Sequence, residues 1–306
     1  MKIMVMGAGG MGALFGAILA AGGLEVVLVD SDQDHIDAIN KNGLKIDGYG
    51  SNRVQDIKAV SHPGEIPSAD IVLVQTKGTA TRKAAESMRH LAGGETVFIS
   101  FQNGLGNEEV LADILGAENV MGGLTAMAGA KLGPGHIQDF ARVPSWIGEL
   151  AGGLSERAEK IAGLFSAAGL ETIASANIRA DIWKKLLGNM TMSAASGLTN
   201  LSSAEILAIP ALRRMCLTAM DEAISIAESQ GIELDRETVL HGLELITKPG
   251  GTGDNKSSLC LDLLDQRRSE VEFIYGTPLR LAEEAGLPVP TLRAYYGLVL
   301  GVESHF

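Results

Sequence analysis

Residues 7–12 read Gly7-Ala8-Gly9-Gly10-Met11-Gly12, a G-x-G-x-x-G. The pattern follows a short apolar run at 2–6 that reads as a strand, and it opens a helical stretch. In that setting each glycine has a task. Gly7 permits the tight turn, Gly9 lets the backbone approach a pyrophosphate, and Gly12 lets helix and strand pack closely. The helix N-terminus offers free N–H groups and a positive dipole end to the phosphates. Asp30 stands 18 residues beyond Gly12. A carboxylate at the end of a second strand accepts both ribose hydroxyls of NAD and repels a 2′-phosphate. No Arg or Lys lies between Lys2 and Lys41, so NAD(H) is favoured. Lys41 and Arg53 are the cations that could fold back toward the 2′-phosphate of NADP(H). A second group of residues lies far along the chain. Lys185 and Asn189 are four apart and share a helix face. A lysine beside a polar partner can polarise a carbonyl and donate its proton.

These residues need elements to hold them. Residues 2–6 and 25–30 read as strands, 10–22 as an apolar helix, and a helix capped by Ser31 or Asp32 runs to about Asn42, where Gly43 stops it. The first 43 residues are thus β-α-β-α. Residues 44–62 read as short hairpin strands, and Ile71–Val74 as a buried strand followed by a helix to about Leu91. Thr96–Ser100 is a further strand, with a loop and helix at Gly104–Leu115. Strands near 119–125, 136–140, 145–148 and 170–174 and a helix at 154–168 complete the pattern. Alternating β and α argues a parallel sheet covered on both faces. Lys77 and Asn103 each follow a strand of that sheet, where open α/β sheets bind ligands. From about residue 176 the texture turns helical, over 178–245 and 256–286, with a loop at 248–255. The expected fold is α/β, an N-terminal Rossmann-type doubly wound parallel sheet over 1–175 followed by an all-helical domain over 176–306.

The composition excludes other classes. The chain has 306 residues, 46% of them hydrophobic and 20% charged, so it is not disordered. The net charge is −12, without a basic run, which speaks against nucleic-acid binding. Ile3–Leu24 carries no charge, but its seven glycines fit a helix packed under a sheet rather than a membrane span or signal peptide. Cys216 and Cys260 stand far apart without a CxxC or His/Cys cluster. That supports neither a disulfide framework nor a metal site, and it fits a cytoplasmic protein.

Taken in order, Gly7–Gly12, Thr76-Lys77, Gln102-Asn103-Gly104-Leu105-Gly106, Pro134-Gly135-His136-Ile137, Trp183-Lys184-Lys185-Leu186 and Ser257-Ser258-Leu259 with Asp262, Arg267 and Glu270 resemble the ketopantoate reductases (2-dehydropantoate 2-reductases). The resemblance covers nearly the whole chain. It implies that Lys185 protonates the keto oxygen of a 2-oxo acid while hydride arrives at carbon, with Glu270 as its acidic partner. It also implies that Asn103 lies near nicotinamide and substrate, that Lys77 contacts the cofactor, and that Asn189 and Ser258 bind substrate. Ser193 joins them at a place where the family often has another Asn. Two further positions depart from the family: the acidic run Asp30-Ser31-Asp32-Gln33-Asp34, where a basic residue usually selects NADPH, and Tyr275, where Asn often precedes the glycine. Ser193 and Tyr275 bear on the substrate side of the pocket. The implied reaction is 2-dehydropantoate to pantoate, in pantothenate biosynthesis. A dehydrogenase of another 2-hydroxy acid and a non-catalytic NAD sensor are the alternatives. The implied partner is a small 2-oxo acid and not a membrane, and a homodimer through the helical domain stays open.

Overall fold

The computed structural model describes residues 1–49, 52–248 and 252–306. The chain divides into two units, Met1–Gln102 with Asn107–Arg179, and Asn103–Gly106 with Ala180–Phe306.

The first unit opens with β1 (Lys2–Met6), α1 (Gly10–Ala21), β2 (Glu25–Val29) and α2 (Gln33–Asn42). It continues through β3 (Leu44–Gly48), β4 (Arg53–Gln55), β5 (Lys58–Val60), β6 (Ile71–Val74), α3 (Thr81–Ser87), β7 (Val97–Ser100) and α4 (Asn107–Leu115). Then come β8 (Val120–Thr125), β9 (Ala128–Gly133), β10 (His136–Ala141), β11 (Ser145–Glu149), α5 (Glu156–Ala167) and β12 (Thr172–Ala174). The large sheet has the order β12-β11-β8-β7-β6-β1-β2-β5. From β5 to β8 every pairing is parallel. Strand alternation gives the sheet two apolar faces. Ile3 and Val5 join a core with α1, α2 and α5, while Met4 joins one with α3 and α4.

Three expectations need correction. The sheet is mixed, because β11 runs antiparallel to β8 and carries β12 with it. Residues 44–62 are not a set of hairpins. β3 and β4 do pair antiparallel, but β5 leaves them and adds to the large sheet parallel to β2; residues 50 and 51 lie outside the described residues. The strand β9 went unforeseen; it pairs with β10 in a separate sheet of order β4-β3-β10-β9. That second sheet explains the uncharged N-terminal run. α1 contacts β1 and β2 as well as β3, β9 and β10, and Gly12–Leu19 are all buried. A helix covered on all sides is apolar on all sides.

The second unit holds most of α6 (Ile178–Thr199), then α7 (Ser203–Ala208), α8 (Pro210–Ser229), α9 (Arg236–Ile246), α10 (Ser258–Leu264), α11 (Thr277–Glu284) and α12 (Pro290–Glu303). A π-helical turn, Glu272–Gly276, leads into α11. Among the described residues this unit has no strand. Its own core includes Trp183, Leu186, Met220, Tyr275 and Tyr295. Of the expected loop at 248–255, residues 249–251 lie outside the described residues, and Thr252–Asp254 form a short 3-10 turn. No helix among the described residues is long and apolar enough to cross a membrane.

Candidate active site

The glycine loop joins β1 to α1, and its residues are constrained differently. Gly7 has φ +98°, a left-handed conformation that favours glycine, and a Cβ there would lie 2.7 Å from Thr76 N. A Cβ on Gly12 would meet Gly7 O at 1.9 Å, so the helix can approach the strand only without one. A Cβ on Gly10 would lie 2.6 Å from Ala130 Cα of the second sheet. Gly9 alone of the four faces open space, with nothing within 4 Å. It is the N-cap of α1, it supplies no capping side chain, and the first turn holds no acidic residue. A phosphate fits such a position. Ala8 is buried and Met11 half-buried. Beside the loop, Gln75 Nε2 is buried with no hydrogen-bond partner among the described residues.

Asp30 closes the loop from the end of β2. Its Oδ2 accepts Ala8 N–H at 2.8 Å and its Oδ1 accepts Asp32 N–H at 3.0 Å. Each oxygen keeps a second lone pair for a ribose hydroxyl. Asp32 caps α2 through His35 N–H and receives Lys131 Nζ at 2.7 Å. The cation in this corner is therefore Lys131 of β9. Arg53, one of the two expected there, instead lies 3.9 Å from Asp139. His35, fully buried, was not anticipated either. Its Nε2 is 2.9 Å from Ala8 O, and its Nδ1 accepts Gly135 N–H at 2.9 Å. An acceptor at Nδ1 means that Nε2 carries the proton and donates to Ala8 O. Burial holds the pKa of this ring below its ordinary 6.5. Its one sequence signal was its place beside Ile36 on the buried face of α2. Lys77 is exposed, at the foot of the turn after β6.

In the helical unit, Lys185 Nζ donates to Asn103 Oδ1 at 2.8 Å, and Asn103 Nδ2 donates to Glu270 Oε2 at 3.3 Å. Three residues spread over 167 positions form one chain of contacts. Backbone constraint fixes the middle one. Gly104 has φ +88°, its missing Cβ would sit 2.5 Å from Phe273, and Leu105 N–H donates to Phe273 O at 2.9 Å. Asn103 is thereby held against the turn that follows Glu270. Desolvation pulls the Lys185 pKa from 10.5 down to about 8, while the charge of Glu270 pulls it back up.

The remaining predicted residues lie along α6 and α10. Asn189, half-buried, follows Lys185 by one turn, and Ser193 is buried one turn further. Ser257 caps α10, accepting Cys260 N–H and donating to Ser193 O at 3.2 Å. Ser258 is thus the first residue of α10, exposed, on an element tied to α6 at Ser193. Tyr275 corrects an expectation. It is fully buried, with its hydroxyl against the backbone of α6, so it packs in the core rather than lining a pocket. Glu108, in the first unit, was also unforeseen. Burial pushes its pKa up to about 7, and its Oε1 has no hydrogen-bond partner among the described residues.

The chain is similar to known proteins along its whole length. The family described as Ketopantoate reductase PanE/ApbA matches residues 3–152, and Ketopantoate reductase PanE/ApbA C terminal matches residues 177–303. The 2-dehydropantoate 2-reductase of Pyrococcus abyssi is 31% identical over 304 residues, 99% of this chain and 98% of that one. Among solved structures, D-mandelate dehydrogenase with NADH and anilino(oxo)acetate superimposes with a TM-score of 0.94 at 27% identity, over 100% of this chain and 99% of that one. A ketopantoate reductase from Ralstonia eutropha JMP134 gives 0.92 at 28% identity, with the same coverage.

Proposed function

This chain belongs to the ketopantoate reductase family of NAD(P)-dependent oxidoreductases, and from that premise we propose that it reduces 2-dehydropantoate to pantoate with Lys185 as proton donor. The observation that carries the reading is the contact chain Lys185–Asn103–Glu270. When bound, a nicotinamide cofactor would supply the hydride for the keto carbon. The Gly7–Gly12 loop, Asp30 and Lys77 are the residues that would hold it. Lys185 places an ammonium group at the keto oxygen, where negative charge grows, and transfers a proton to it. Asn103 takes one of the three Nζ–H groups, which leaves two to aim at substrate. Glu270 fixes Asn103 and favours the charged lysine. Asn189, Ser193 and Ser258 are the proposed substrate contacts.

NADH is the proposed donor. Asp30 and Asp32 put two carboxylates beside the ribose position, and Lys131 neutralises one of them. One negative charge is left to oppose a 2′-phosphate.

The test is steady-state oxidation of NADH and NADPH in parallel, with 2-dehydropantoate as acceptor. Turnover with a higher kcat/KM for NADH is expected. Lys185→Ala should lower kcat by about 10²- to 10⁴-fold while cofactor still binds. Undiminished activity in that variant would remove the acid assignment. A second reading draws on the likeness to D-mandelate dehydrogenase and on Ser193: an NAD-linked dehydrogenase of another 2-hydroxy acid. Turnover of D-mandelate but not of 2-dehydropantoate would favour it.

A further inference from the structure

Tyr275 places its hydroxyl inside the hydrogen-bond ladder of α6. The oxygen accepts Ala194 N–H at 3.0 Å, and its proton faces the carbonyls of Met190, at 3.1 Å, and Asn189, at 3.2 Å. In a regular α-helix Ala194 N–H donates to Met190 O, four residues back. A side chain inserted at that point bends or loosens the helix locally. The insertion begins one turn beyond Lys185, and it spans the stretch that presents Asn189 and Ser193.

The other end of Tyr275 belongs to the π turn Glu272–Gly276. Glu270 O accepts both Phe273 N–H and Ile274 N–H at 3.0 Å, so the turn starts on the backbone of Glu270. Phe273 O holds Leu105, two residues after Asn103. A π turn carries an extra residue, and side chains beyond it are displaced by about 100° from an uninterrupted helix. This one turn therefore touches the segments of Glu270 and Asn103 directly, and reaches that of Lys185 through Tyr275.

We propose that Tyr275 is a positioning residue for the reduction: its hydroxyl locks the α6 turn after Lys185 to the segment that starts at Glu270, and so sets the geometry of Lys185, Asn103 and Glu270. The proposal rests on Lys185 as the proton donor. Without the hydroxyl, the tie between the Glu270 segment and this turn of α6 is lost, and the Lys185 ammonium is no longer held in its desolvated place.

The test compares Tyr275→Phe with Tyr295→Phe. Tyr295 stacks edge-on against Tyr275, with ring centroids 6.0 Å apart, but its hydroxyl meets Cys216 Sγ on α8. It therefore reports the effect of losing a buried phenol hydroxyl from the same core. Tyr275→Phe should lower kcat about tenfold to a hundredfold. NADH affinity should stay within about twofold of wild type, because the glycine loop is untouched. The alkaline limb of kcat should move up toward the ordinary lysine value of 10.5. Tyr295→Phe should change none of these. Equal losses in both variants, or an unmoved kcat and limb in Tyr275→Phe, would overturn the proposal. Lys185→Met is measured beside them, and turnover retained there removes the acid assignment alone. The brace is still read without turnover, from the pH midpoint of Lys185 acetylation by acetic anhydride, followed by peptide mass spectrometry. That midpoint rises in Tyr275→Phe if the brace exists, and stays in place if it does not.

Discussion

Lys185 carries its charge against the pull of burial, and a single carboxylate decides how far its pKa falls. Desolvation takes it to about 8, with Glu270 opposing the fall. With Lys185 as the proposed proton donor, reduction consumes its proton, so kcat for a 2-oxo acid should decline as pH rises through about 8. Oxidation needs the neutral amine and should rise over the same range. Glu270→Gln removes the charge that holds the value up. Its alkaline limb should therefore lie below that of wild type, and the loss in kcat should be smallest at the acid end of the profile. A pH–rate series on the two proteins decides the matter, and a limb that does not move in Glu270→Gln would detach Glu270 from the lysine. The sequence supplies the names of these residues through a family resemblance, and the contiguous glycine loop through its own spacing. It does not supply the hydrogen bond from Lys185 to Asn103, 82 positions away, because no local pattern encodes a contact made by the fold.

Three elements meet on one imidazole. His35 of α2 binds Ala8 O in the glycine loop and Gly135 N–H in the turn between β9 and β10. Made together, the two bonds require the neutral ring with its proton on Nε2. Lys131, Asp30 and Asp32 are the charged groups around it, and burial outweighs the two carboxylates, holding the pKa below 6.5. The sign follows from linkage. The contribution of His35 is fully present above the unfolded value of 6.5, and it is lost as pH falls through the lower folded value. A proton on Nδ1 would face the Gly135 N–H instead of accepting from it. His35→Leu leaves the Ala8 carbonyl and the Gly135 N–H unpaired, which costs about 1–3 kcal/mol. Urea midpoints of both proteins between pH 8 and pH 5 test this. Wild type should lose more stability than the variant on acidification, and parallel curves would acquit His35. Elements with local signatures were legible: β1, β2 and β6 are runs of buried apolar residues, and Asp32 announces α2 as a cap. The strand β9 (AGAKLG) has no β-branched or aromatic residue to mark it. β5 reads as a hairpin strand, since its partner β2 is chosen by the sheet and not by its neighbours. The π turn has no sequence signature, because the contacts of Phe273 and Tyr275 hold it in place.

At the scale of the whole chain, apolar side chains gather into cores that follow the division into two units. The clusters around α1 and around α3 and α4 belong to the α/β unit, and the cluster around Tyr275 and Tyr295 belongs to the helical unit. The path of the chain is less simple than its cores. Asn103–Gly106 counts with the helical unit although the residues on both sides count with the other, so a cut at a single point leaves one unit incomplete. Separate cores predict two transitions in calorimetry, each answering to its own perturbation. NADH at 100 times its Kd should raise only the transition of the α/β unit, by about 2.7 kcal/mol, because the glycine loop belongs to that core. Glu222→Ala should lower only the other. Glu222 is buried on α8, and its two oxygens accept Thr291 N–H at 3.0 Å and Leu292 N–H at 2.9 Å, capping the start of α12. Removing that carboxylate strands two donors in the helical core and costs about 1–3 kcal/mol. If one transition moved under both perturbations, the units would unfold as a single cooperative body, and the stability of the proposed proton donor would be tied to cofactor occupancy. If each moved alone, cofactor binding would stabilise the fold around the glycine loop and leave Lys185, Asn103 and Glu270 to depend on Tyr275, the π turn and the core behind them.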